Sequence, residues 1–117
     1  MSKENFYQTL KNVSEITLSV KGRKTRKVIP RPVWFSFQGN TLYLLPVEGS
    51  DTQWYKNMTV DPMLKISIND MEISATGKPI NDYTKVREIV QKFRSKYGEG
   101  NIKKYYPKTD VAVEAQL

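Results

Sequence analysis

Between Lys21 and Arg31 the chain reads Lys-Gly-Arg-Lys-Thr-Arg-Lys-Val-Ile-Pro-Arg: six cations, one glycine and no acid. Arginine grips a phosphate through two parallel hydrogen bonds, and Thr25 adds a hydroxyl. Gly22 permits a positive backbone angle, and successive amides in such a turn can converge on an anion. The segment then runs into Val33-Trp34-Phe35-Ser36-Phe37, apolar and strand-like. A cationic turn joined to such a strand can hold a phosphorylated ligand at its mouth and an aromatic ring further in. A solvated hairpin tip whose lysines serve solubility accounts for the same residues, so the turn alone leaves both readings open.

Two other constellations bear on chemistry. Thr52-Gln53-Trp54-Tyr55-Lys56-Asn57-Met58, ending at Asp61-Pro62, places adjacent aromatics at the start of a short helix. They can seat an apolar ring near unpaired helix amides, or Trp54 can be core with Tyr55 packed half-exposed. The segment holding Lys96, Tyr97, Lys103, Lys104, Tyr105, Tyr106 and Lys108 interleaves cations with aromatics. That mixture suits single-stranded nucleic acid, but no recognition-helix, zinc or ribonucleoprotein signature accompanies it, which makes nucleic acid the lesser reading. A solvated loop with Tyr105 or Tyr106 tucked inside explains it equally.

Composition narrows the chemistry. The 117 residues contain no histidine and no cysteine. Imidazole acid–base pairs, Ser-His-Asp or Cys-His nucleophiles, disulfides and sulfur metal sites are thereby excluded, and no metal site is expected. The remaining carboxylates, lysines and tyrosines titrate far from neutrality unless strongly perturbed. An enzyme built from them borrows its reactive centre from a cofactor. The net charge of +7 favours an anionic partner without choosing one.

The elements that must position these residues follow from periodicity. Phe6, Tyr7, Leu10 and Val13 predict a short amphipathic helix, and Glu15 to Lys21 alternates as a strand. A second strand is expected from Val28 to Phe37, with Pro30 and Pro32 confining its first half to an edge or bulge. Gln38-Gly39-Asn40 turns into a strand from Thr41 to Leu45. A helix capped by Ser50 or Asp51 runs to Met58, then strands cover 63–68 and 72–77. Asn81 or Asp82 caps a helix with the stripe Val86, Ile89, Val90, Phe93 and Tyr97, closed by Gly98. After a lysine–tyrosine loop, Asp110 to Leu117 alternates as a last strand. The expectation is one domain, residues 1–117, mainly β, with six antiparallel strands closing into a small barrel and helices outside. No apolar run approaches a membrane span, and Met1-Ser2-Lys3-Glu4-Asn5 has no apolar core of a signal peptide. A cytoplasmic location is the expectation.

Gly22-Arg23-Lys24-Thr25, Pro32-Val33-Trp34-Phe35, Gly39-Asn40-Thr41-Leu42-Tyr43, Trp54-Tyr55-Lys56-Asn57-Met58 and Asp61-Pro62 stand in that order at close spacing. This arrangement resembles the deazaflavin (F-420)-dependent nitroreductase family, of the split-barrel flavin-binding fold shared with pyridoxamine phosphate oxidases. The family pattern is Gly-Arg-Lys-Ser/Thr, Pro-Leu-Trp/Tyr, a hairpin Gly-Asp/Asn, then Trp-x-x-Asn-Leu. The resemblance is specific from about Ile16 to Pro62 and looser beyond. It implies a six-stranded antiparallel split β-barrel, an oxidoreductase passing hydride from reduced F-420 to a small electrophilic acceptor, and a homodimer. It also implies that Gly22, Arg23, Lys24 and Thr25 hold the cofactor's phosphate-bearing tail. Pro32, Val33 and Trp34 would lie along its ring, with Trp54 and Asn57 beside the same pocket and Tyr97, Tyr105 and Tyr106 on the substrate side. The family often has glycine after Ser/Thr, where this chain has Arg26, and a small or polar stretch where this chain has Pro46-Val47-Glu48-Gly49-Ser50. Those departures keep FMN as the alternative cofactor and a non-catalytic flavin binder as the alternative function.

Overall fold

The structure is a computed structural model that describes residues 3–117; Met1 and Ser2, part of the N-terminal stretch inspected for a leader, lie outside the described residues. Four α-helices, α1 (Lys3–Asn12), α2 (Gln53–Val60), α3 (Tyr83–Tyr97) and α4 (Glu99–Tyr105), surround seven strands. The strands are β1 (Ile16–Lys21), β2 (Val28–Val33), β3 (Ser36–Gln38), β4 (Thr41–Leu44), β5 (Met63–Ile68), β6 (Met71–Ile80) and β7 (Ala112–Gln116). All pair antiparallel in the order β2-β1-β5-β6-β7-β4-β3.

The two strands at the ends of that order are consecutive in the chain, joined only by Trp34 and Phe35. Two residues cannot span an open sheet, so the sheet must curl until its edges meet. A second corner lies in β6, whose residues 71–76 pair with β5 and whose residues 77–80 pair with β7. Gly77 stands at the switch, and a Cβ there would lie 2.6 Å from Met58 Sδ and 3.0 Å from Leu64 Cδ1. Glycine lets the strand bend against the core at that point.

Two expectations change here. The strand expected from Val28 to Phe37 is two strands, which makes seven rather than six. The barrel is closed by covalent continuity through the Trp34–Phe35 corner instead of by a hydrogen-bonded ladder. The edge position foreseen for Pro30 and Pro32 does appear: they pair with Ser19 and Thr17 from the outermost strand.

The curl encloses one apolar cluster, in which α1 and α2 contribute Phe6, Leu10, Trp54 and Met58 to Leu18, Leu42, Leu64, Ile66 and Val113 from the sheet and Phe35 from the corner. The α3 stripe Val86, Ile89, Val90 and Phe93 forms a second cluster with Ile102, Tyr106, Leu45 and Ile80. Asp82 caps α3 by accepting from the Lys85 amide at 3.0 Å. The other predicted cap is corrected: residues 49–51 form a 3-10 turn, and α2 begins after Thr52. The Thr52 hydroxyl accepts from the Glu48 amide, so it fixes the preceding loop rather than capping the helix. The lysine–tyrosine loop is likewise helical over Glu99–Tyr105. Gly98, at φ 93°, ends α3 and opens α4, which buries only Ile102 and so has no stripe that periodicity could detect.

The Trp34–Phe35 corner leaves its strand ladder, so its backbone needs other partners. Phe35 N–H donates to the Tyr97 hydroxyl at 3.0 Å, and the Phe35 carbonyl accepts from Lys96 Nζ at 3.0 Å. The Tyr97 hydroxyl has two acceptors in reach, Ser14 O at 2.7 Å and Phe35 O at 3.0 Å. The Trp34 and Tyr97 rings stack at 4.3 Å and 5°, and Lys96 Nζ sits 3.4 Å from the Phe35 ring centroid. Burial pushes Tyr97 up to about 12 and Lys96 down to about 8, outweighing the attraction of ring and carbonyl for the Lys96 charge.

Tyr97→Phe should therefore destabilise the fold by about 1–3 kcal/mol, read by urea denaturation at pH 7, because it strands corner backbone groups without a partner. Between about pH 8 and 10 the unfolded chain binds more protons at Lys96 than the folded one, so stability from this group rises with pH. Above pH 10 the retained Tyr97 proton reverses the trend, since only the unfolded tyrosine ionises there. Urea midpoints at pH 7.5 and 9.5 should show a more positive pH slope for the native protein than for Lys96→Met. Equal slopes would remove Lys96 as the cause.

Candidate functional site

Strand β2 has a groove at each end. The first is about 420 Å³ and is lined by Gly22, Arg23, Lys24, Thr25, Ile29, Arg31, Gln53 and Asn57. The second is about 290 Å³, with Pro32, Val33, Trp34, Leu45, Val47, Tyr105, Tyr106 and Glu15 as its walls. Arg31 borders the first groove and is followed at once by the residues of the second, so the two sites follow one edge strand at roughly 3.3 Å per residue.

The cationic turn joins β1 to β2. Gly22 N–H donates to Lys27 O at 2.8 Å, and Arg26 N–H donates to Gly22 O at 3.0 Å. The positive angle expected at Gly22 falls instead on Arg26, at φ 64°. Gly22 is required for room, since a Cβ there would stand 2.8 Å from Thr25 Oγ1. The residue after Thr25 has a left-handed backbone, which glycine takes freely and Arg26 adopts at a cost.

Arg23 folds back onto α2. Its backbone amide and Nη1 both donate to Asn57 Oδ1, at 3.2 and 2.7 Å, and its Nη2 donates to Gln53 Oε1 at 3.0 Å. Gln53 and Asn57 are four residues apart and therefore share a helix face. Asn57 is buried, so it serves as the fixed point from which the turn is held. Lys24 and Arg31 line the same groove, and their side chains have no hydrogen bond or ion pair among the described residues. The Nε of Arg31 is buried without a partner.

In the second groove the Trp34 ring meets Tyr105 edge-on at 5.5 Å and Tyr106 at 6.1 Å, while Tyr97 stacks on it. The structure thus gathers Trp34 and all three predicted tyrosines into one cluster, in differing roles. Tyr97 is committed to the corner, Tyr106 is buried at 7% exposure, and Tyr105 is 47% exposed at the groove mouth. Burial raises Tyr106 well above the ordinary tyrosine range, so its hydroxyl stays protonated. Trp54 is 2% exposed within the core and lines neither groove, while Asn57 stands in the first groove rather than beside Trp34.

Sequence reasoning passed over Gln53, Arg31, Glu15, Leu45 and Val47. Gln53 was recoverable as the residue one turn before Asn57. Arg31 was recoverable from strand alternation with Ile29 and Val33. Glu15, Leu45 and Val47 reach the groove only through tertiary packing. The Ser50 amide donates to Asp110 Oδ1 at 3.0 Å, so it is not free to meet a ligand. Glu48 forms a parallel bridge with Lys108 and does not line the cationic groove.

This architecture is shared with several solved structures. An F-420-H2 dependent reductase superposes with a TM-score of 0.68 at 12% identity, over 88% of this chain and 94% of that one. The heme storage protein HutZ from Vibrio cholerae gives 0.74 at 12% identity, over 97% and 88%. A Listeria innocua protein provisionally named a pyridoxamine 5'-phosphate oxidase gives 0.68 at 16% identity, over 97% and 90%. These likenesses define the fold class: a mainly β split barrel, here a curled antiparallel sheet of seven strands with peripheral helices. Within that class the chain belongs to the family described as "uncharacterized protein conserved in bacteria" (DUF2255), whose model matches residues 7–116. No curated protein matches the sequence. Among the described residues, no helix is long and apolar enough to cross a membrane.

Replacing Arg26 by glycine should relieve the left-handed backbone and raise stability by about 0.5–1 kcal/mol. Thermal denaturation checks this, with Lys27→Gly as the control that removes one charge without the benefit.

Proposed function

We propose that the protein is a split-barrel oxidoreductase that holds a phosphorylated flavin-type cofactor along β2 and serves a small electrophilic acceptor such as a quinone, enone or nitro compound. The observation that carries this reading is the succession, on one strand, of a cation-lined groove and an aromatic-walled groove. The orphaned Arg31 Nε is a donor that a phosphate oxygen would satisfy, so the residues present fit such a group. F-420 is the favoured cofactor on the motif resemblance, with FMN as its alternative. The net charge of +7 suits either anion.

Each chain residue has a definable task. Gly22 and Thr25 shape the turn that receives the tail, with Arg23, Lys24 and Arg31 supplying its positive field. Pro32, Val33 and Trp34 give a flat apolar wall for a ring, and Tyr105 and Tyr106 narrow the space beside it. When bound, the reduced ring supplies the hydride, chemistry that no side chain of this protein offers. Tyr106, protonated at neutral pH, can donate a hydrogen bond to an acceptor oxygen and cannot serve as a base there. The homodimer expected from the family resemblance would complete the open side of both grooves with a second copy.

Titrating the purified protein with F-420, FMN and FAD in both redox states, with ligand fluorescence as the readout, tests the proposal. We expect saturable quenching by F-420 or FMN that weakens at least tenfold in Trp34→Ala. A steep, sequence-independent affinity for single-stranded nucleic acid, with no flavin binding, would replace this reading with the nucleic-acid one.

A further inference from the structure

We infer that Arg31, rather than Arg23, grips the ligand's anionic group, and that Arg23 acts as a positioning residue for the turn. This assignment deepens the reading of the first groove as a phosphate site and rests on it. The ligand class is a phosphate mono- or diester attached to a planar ring.

Arg23 lies in the arginine-lysine motif, yet both of its terminal nitrogens donate to neutral amide oxygens of α2. Its backbone amide points at the same Asn57 oxygen. Three hydrogen bonds to two helix residues fix the turn against α2, and pulling the guanidinium away to meet a ligand would leave the buried Asn57 oxygen with only the longer backbone donor and Gln53 Oε1 without its own. Arg23 is therefore a strut.

Arg31 is in the opposite situation. Its side chain lines the groove but has no hydrogen bond, ion pair or ring contact among the described residues. Its Nε is buried and unpartnered, a state that costs free energy until an acceptor arrives. Nε and the adjacent terminal nitrogen form one edge of the planar guanidinium, the edge that takes two oxygens of a phosphate at once. To meet an anion in the groove, that edge must turn by rotation about the terminal side-chain bonds. Arg31 pairs across the ladder with the fully buried Leu18, so its stem is anchored on the rigid sheet rather than on the turn. It also immediately precedes Pro32, the first β2 residue of the ring groove, which sets a short separation between anion and ring. Lys24, from the turn, supplies a second and more mobile charge. The geometry thus favours an anion close to the ring over one at the far end of a long tether.

The test has two independent readouts. The first is the arginine Nε–Hε NMR spectrum, assigned through Arg23→Lys and Arg31→Lys and titrated with inorganic pyrophosphate. A saturable shift of the Arg31 signal, with the Arg23 signal nearly still, is expected. A still Arg31 signal, or a larger shift at Arg23, overturns the inference.

The second readout compares affinities for FMN and riboflavin, and for F-420 and its phosphate-free chromophore, in native protein, Arg31→Gln and Arg23→Gln. Arg31→Gln should erase at least about tenfold of the preference for the phosphorylated member while the melting temperature holds. Arg23→Gln should lower the melting temperature and keep most of that preference. An unchanged preference in Arg31→Gln overturns the inference even where flavins bind. If no ring ligand binds but pyrophosphate moves Arg31, the proposed function fails and this assignment stands.

Discussion

The structure depends on how the backbone of Phe35 is satisfied. The chain must pass from one edge of the sheet to the other within Trp34 and Phe35, and no neighbouring strand can pair with it there. The last turn of α3 supplies the missing partners: the Tyr97 hydroxyl and the Lys96 ammonium meet the peptide groups, and the Tyr97 ring covers Trp34. A backbone donor buried without a partner costs about as much as a hydrogen bond is worth, and a small domain has only a few such units of stability to lose. The helix is in effect the barrel's missing rung.

The same corner links fold to site. Trp34 is at once the last residue of the cationic edge strand's path and the back wall of the aromatic groove. Anything that fixes the corner fixes the wall, and Tyr97 does so by stacking on Trp34. At the other end of β2 the turn is held in a comparable way, by Arg23 reaching across to Gln53 and Asn57. Two side-chain struts, Tyr97 from α3 and Arg23 to α2, therefore hold an edge strand that has a ladder on one side only. Edge strands with free hydrogen-bonding groups invite pairing with other chains, and Pro30 and Pro32 remove two of the available donors.

The charge of the protein is unevenly employed. Lys65, Lys78, Lys85 and Lys108 have carboxylate partners on the surface, where such pairs contribute little to stability. The groove cations Lys24 and Arg31 have none. Cations brought together without counter-ions repel one another, and an arriving anion relieves that repulsion as well as forming its own contacts.

Much of this was legible in the chain. The α3 stripe, its Asp82 cap and Gly98 stop, the Asp61-Pro62 exit of α2 and the edge character of Pro30 and Pro32 follow from local rules of periodicity, capping and missing amide donors. So did the cationic turn and its adjacency to Trp34. Local rules did not reach the break at Trp34–Phe35, because an apolar run looks the same whether its amides meet a strand or a tyrosine 62 residues away. They did not reach α4, which buries one residue and has no period to read. They could not tell Arg23 from Arg31, two arginines of one segment, since only packing decides which guanidinium meets an amide oxygen and which is left without one. Sequence by itself determined the elements and the chemical inventory, because those are set by neighbours along the chain. Tertiary structure alone decided the partners of each polar group, because those contacts cross the fold and exist only once the sheet has curled.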